Sequence, residues 1–206
     1  MRDSDKAYNA LLDQLLTGKL RCGQAINDEQ LQAELGVGKT PLREALFRLI
    51  QDGYITAVPH RGMFVTSIDL AQLESLFSLR ILLADYLCQK LIQNARSHEI
   101  DLGIAEMKEL IRLNEKMTLD DVSRADYRFH QILGELSGDT ILAGILNKLE
   151  FLSAMALIPH SGDYYSNEEM VKAEYFSVLQ YLKDGDAEAL SAALKRHVPK
   201  YVLQHS

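Results

Sequence analysis

The stretch Gly36–Leu49, GVGKTPLREALFRL, decides how the chain is read. Its apolar residues fall at Leu42, Ala45, Leu46 and Leu49, with Ile50 just beyond. That spacing is the stripe of a helix packed on one side. Pro41 sits in the first turn, where a missing N–H costs nothing. Off the stripe lie Lys39, Thr40 and Arg43, gathered at the N-terminal end. Such a tip suits the DNA major groove, where cations and hydroxyls meet base edges and phosphates.

The flanks agree. Asn27 is placed to cap a preceding helix through Leu31 and Leu35, with Gln30 as its capping-box partner. Gly36-Val37-Gly38 then turns into the second helix, giving a helix-turn-helix. After Asp52-Gly53, the runs Tyr54–Val58 and Met63–Thr66 surround Pro59-His60-Arg61-Gly62, which predicts a β-hairpin. A hairpin directly after a recognition helix is a wing, and His60, Arg61 and Gly62 form its tip, with Arg61 aimed at minor groove or phosphate. His60 reads first as a turn residue. Arg48 either pairs with Glu44, four residues earlier, or touches phosphate.

These residues resemble the winged-helix domain of GntR-family bacterial transcription regulators, whose usual run is close to GVSRTPVREAL. Here Gly38 stands where Ser or Thr is common, Lys39 where Arg is common, and Cys22-Gly23 where Pro-Gly is common. Lys39 keeps the charge but lacks the bidentate fork of arginine.

The 206 residues suffice for one large domain or two small ones, and the composition (47% apolar, 25% charged) is that of a soluble globular chain. No run is expected to span a bilayer, and no membrane partner is expected. The polar start MRDSDKAYNA is no signal peptide. Cys22 and Cys88 match no metal or redox spacing and fit a reducing cytoplasm. The net charge of −7 is unevenly placed: residues 1–68 balance eight Lys/Arg against eight Asp/Glu, so the whole excess lies in 69–206.

The expected fold is therefore mainly α. Residues 1–68 form an N-terminal winged helix-turn-helix, opened by a helix over about Asp5–Thr17. Residues 69–206 form a C-terminal all-α antiparallel helical bundle, with helices expected over 69–91, from 97, over 118–137, 139–158, 167–183 and 186–204. Asp69 caps the first of these. Pro159 is expected to stop the fourth and Pro199 to bend the last.

This second part resembles FCD, the helical effector domain of a FadR/VanR-like GntR subfamily. The anchor is Asp126-Tyr127-Arg128-Phe129-His130, a D-x-x-F-H run that sets Asp126 and His130 on one helical face. The resemblance implies a divalent metal, Zn or Ni, held by Asp126, His130 and His197. The fourth family ligand is a histidine; here the position is Tyr175, so the ligand set is incomplete. A phenol must ionise to bind metal, whereas imidazole need not. Three outcomes stay open: a three-ligand site, loss of the metal with Tyr175 hydrogen-bonding Asp126 or the effector, and tyrosinate ligation. Arg80 matches an arginine of the subfamily and faces the same cavity. Its fork suits a small organic acid, with a structural pair to a bundle carboxylate as the rival reading. The expected effector site is Arg80, Asp126, His130, Tyr175 and His197.

The implied function is a ligand-responsive, sequence-specific repressor of a metabolic operon. It binds double-stranded operator DNA as a homodimer and carries no catalytic residues. Two alternatives compete: a helical-bundle metalloenzyme using Asp126, His130 and His197, and a sensor whose winged helix binds a protein partner. No E-x-x-H or H-E-x-x-H run supports the enzyme.

Overall fold

The structure is a computed structural model that describes residues 2–111, 117–157 and 168–198. Two compact units divide the chain, Met1–Ile68 and Asp69–Ser206. Pro159, His160, Pro199 and His205 lie outside the described residues.

In the first unit, α1 spans Asp3–Leu16, α2 Asp28–Leu35 and α3 Lys39–Gln51. Leu11 and Leu15 of α1 and Leu42, Ala45, Leu46 and Leu49 of α3 are almost fully buried, and α1 packs directly on α3. Asn27 Oδ1 accepts the backbone N–H groups of Glu29 and Gln30. The expected capping box is only half made, because the Gln30 amide turns away to Glu34 Oε1 at 2.7 Å. Gly36 ends α2 at φ 62°, a left-handed turn that suits glycine. Strands β1 (Ile55–Val58) and β2 (Gly62–Val65) pair antiparallel, from Ile55↔Val65 to Val58↔Gly62. The tip is tight: His60 adopts φ 61°, uncommon for a side chain other than glycine.

Six helices make up the second unit among the described residues: α4 (Leu70–Asn94), α5 (Ser97–Ile111), α6 (Leu119–Leu136), α7 (Thr140–Leu157), α8 (Glu168–Asp184) and α9 (Ala187–His197). Asp69 and Thr118 cap α4 and α6 in reciprocal capping boxes with Gln72 and Asp121. Helix α6 packs on α5 and α7, and α4 packs on α7 and α9. Close approach uses glycine: a Cβ on Gly134 of α6 would meet Ala143 Cβ of α7 at 3.1 Å. Arg128 clamps α6 to α5 through Glu106, at 2.6 Å.

One expectation needs correction, that no run is long and apolar enough to span a bilayer. Helix α7 is long and apolar enough, by length and composition, to cross a membrane. The reason is its position: it packs against both α4 and α6, so more than half of it is buried inside the bundle.

Candidate functional site

Two groups of side chains carry the functional reading. The first is the outer face of α3, where Lys39, Thr40 and Arg43 are all exposed. Arg43 has only a loose contact with Asp28, at 3.9 Å, so its guanidinium is available. At the wing tip, His60, Arg61 and Gly62 are exposed as well. Arg48 behaves differently. Its Nη1 lies 2.9 Å from Asp5 Oδ1, and its guanidinium sits 4.0 Å over the ring of Tyr8. Its partner is thus Asp5 of α1, not Glu44. It ties α3 to α1.

The second group is buried in the bundle, where five helices converge: Arg80 from α4, Asp126 and His130 from α6, Glu150 from α7, Glu174 and Tyr175 from α8, and His197 from the end of α9. Tyr175, 1% exposed, donates its hydroxyl proton to Asp126 Oδ1 at 2.8 Å. His197 faces a carboxylate on each side, Asp126 Oδ1 at 3.3 Å and Glu174 Oε2 at 3.1 Å. Burial disfavours its charge, but those two hydrogen bonds outweigh it and raise its pKa to about 9. Both ring nitrogens therefore donate. Burial opposes ionisation of Asp126 too, yet the bond from His197 and the nearby positive charges hold its carboxyl well below the usual range.

Arg80 Nε lies 2.6 Å from Glu150 Oε1, a buried ion pair. Arg80 Nη2 stands 3.3 Å from His130 Nε2, and Glu150 Oε1 stands 3.3 Å from His130 Nδ1. The guanidinium donates to Nε2, so His130 is neutral, with its proton on Nδ1 toward Glu150. Burial pushes the His130 pKa well below its ordinary value, and Arg80 and His197 add to that effect against Asp126. Burial pushes Glu150 up to about 7, against the pull of Arg80. Phe129 floors the site, its ring 4.7 Å from Tyr175 and 5.4 Å from His197.

Residues 3–65 match the family described as "Bacterial regulatory proteins, gntR family", and residues 75–199 match the "FCD domain". The chain belongs to the gntR family, FCD type. It is 25% identical over 193 residues to YdhC of Bacillus subtilis (strain 168), described as an HTH-type transcriptional regulator, covering 93% of this chain and 84% of that one. It is 22% identical over 205 residues to the HTH-type transcriptional repressor RspR of Escherichia coli (strain K12), covering 95% and 85%. The structure of E. coli McbR/YncC shares the fold, with a TM-score of 0.81 at 20% identity over 99% of this chain and 98% of that one. This gntR-family chain is thus a transcription regulator with a DNA-binding helix-turn-helix.

Whether this FCD bundle suits a resident metal depends on its donors. Ligand atoms of Asp126, His130 and His197 lie within 4.8 Å of one another, close enough to surround an ion. Each is already committed. His130 Nε2 accepts from Arg80, His197 Nε2 donates to Asp126, and the phenol of Tyr175 keeps its proton on the same Asp126 oxygen. The fourth corner offers no neutral nitrogen. Without an ion the set satisfies itself with protons and a guanidinium, and with Tyr175 at the fourth corner it would offer a divalent ion three good donors rather than four.

Arg80 has the bundle-carboxylate partner of the rival reading, and that partner, Glu150, was not singled out in the sequence. The signal was there: Glu150 stands on the buried stripe of Leu146, Ser153 and Leu157, where a lone carboxylate needs a counter-charge.

Proposed function

We propose that this regulator is a repressor that binds a pseudo-palindromic operator as a homodimer and releases it when a small carboxylate enters the bundle. The observation that carries the DNA reading is the exposed face of α3, where Lys39, Thr40 and Arg43 stand without a close partner among the described residues. Arg61 and Gly62 of the exposed wing tip add to it, with His60 at φ 61° shaping the turn. With residues 1–68 carrying no net charge, affinity rests on specific contacts and on two-fold repetition. The repressor sense is supported by the description of the relative RspR.

The dimer reading rests on an apolar face of the bundle. Leu79, Leu82 and Tyr86 of α4 and Ile141 and Ile145 of α7 are exposed, Leu82 by 73% and Ile141 by 76%. The Tyr86 hydroxyl reaches Asp139, just before α7, so the two stripes adjoin. A second copy of the same face is a self-complementary cover.

The effector reading rests on Arg80. It already holds a carboxylate, that of Glu150, through Nε at 2.6 Å. An incoming carboxylate with better geometry displaces Glu150 from the fork. Equal affinity for both states would shift nothing, so the effector must bind the DNA-incompetent state more tightly. Operator selection from random duplexes, followed by gel shift, tests the DNA reading. Arg43→Ala should lose about 1–3 kcal/mol of operator affinity per subunit. An unchanged affinity would make Arg43 a plain surface charge.

A further inference from the structure

Phe47 is the one large aromatic side chain exposed on α3, 61% accessible among otherwise polar neighbours on that face. A single exposed apolar residue needs no explanation by itself. Its position does. At about 100° per residue, Phe47 falls in angle between Thr40 and Arg43 and lies one turn beyond Arg43. It therefore stands on the line along which the helix would follow the major groove. Leu42, Ala45, Leu46 and Leu49 of the same helix are buried on the opposite side, so Phe47 lies off the core of its unit.

We infer that Phe47 is a specificity-determining residue that reads the 5-methyl group of a thymine in each operator half-site. The inference rests on the DNA-binding reading above. The major groove shows one apolar feature, the thymine methyl, and an aromatic edge is a natural contact for it. Lys39, Thr40 and Arg43 supply polar contacts to neighbouring bases or phosphates, and Phe47 adds a position where cytosine, lacking the methyl, is disfavoured. Removing one buried methyl contact costs roughly fourfold in affinity per half-site, or about fifteenfold over a symmetric operator.

The test uses the full chain and an operator selected from random duplexes. Each thymine is replaced in turn, in both half-sites, by deoxyuridine, which removes only the methyl. The expected result is one position where deoxyuridine weakens wild-type binding by about tenfold or more. Phe47→Ala should bind the thymine operator correspondingly less tightly and show no further loss at that position. Phe47→Leu, still apolar, should retain part of the sensitivity. Because the side chain is exposed, the variants are expected to unfold at the wild-type temperature. Identical deoxyuridine profiles for wild type and Phe47→Ala, with Arg43→Ala still impaired, would overturn this inference while leaving the DNA reading intact. A selection that yields no preferred sequence would overturn both.

Discussion

Replacing Tyr175 by Phe isolates one oxygen atom at the centre of the bundle. The ring stays, and with it the packing on Phe129 at 4.7 Å and His197 at 5.3 Å. What disappears is the 2.8 Å bond from the hydroxyl to Asp126 Oδ1, at a residue 1% exposed. A hydrogen bond to a charged group contributes about 1.5–3 kcal/mol. His197 still donates to Asp126, so the carboxylate is not orphaned, and the lower part of that range, roughly 1.5–2 kcal/mol, is expected. For a domain of this size that is roughly a 5–8 °C fall in Tm. The chain has two units and need not unfold in one step. Urea unfolding by circular dichroism is therefore best paired with hydrogen exchange resolved to peptides of α6 and α8. Faster exchange confined to the bundle, with α3 unchanged, is the expected pattern. A loss below about 0.5 kcal/mol, with α8 exchange unaltered, would refute the hydroxyl–carboxylate contact and the account of Asp126 built on it.

Tyr175→His supplies the missing neutral nitrogen, so its affinity for Zn²⁺ or Ni²⁺ should exceed that of chelator-stripped wild type by at least about tenfold, roughly 1.4 kcal/mol; titration calorimetry decides, and tight binding by wild type alone would make Tyr175 itself a ligand. Arg48→Ala should lower the stability of the first unit by about 1 kcal/mol, through the lost Asp5 pair and Tyr8 stacking, while operator affinity stays within about twofold. A large drop in DNA affinity at unchanged stability would place Arg48 in the DNA-facing set. Gly134→Val forces a branched side chain against Ala143 and should cost about 1–3 kcal/mol, measured by denaturant unfolding; a stabilised variant would mean that α6 and α7 do not approach as described.

Much of this architecture was legible in local sequence, because caps, turns and helical stripes depend on neighbours three or four residues apart. Asp69 with Gln72 and the buried stripe of Leu42, Ala45, Leu46 and Leu49 needed nothing distant. The D-x-x-F-H run likewise placed Asp126 and His130 on one side of α6, where their nearest polar atoms stand 3.9 Å apart. Partner choice was another matter. Arg48 had Glu44 at the favourable spacing along α3, yet it pairs with Asp5, 43 residues away, because α1 lies across that face and Tyr8 offers its ring. Arg80 meets Glu150 of α7 only because α4 and α7 pack side by side. Tyr175 announced a departure from its family, but only the packing of α8 against Asp126 decided where its proton goes. Helical periodicity determines which face a residue occupies. Which charge waits opposite is decided by how the helices pack, since an ion pair taken out of water is tolerated only where the folded chain brings both members together.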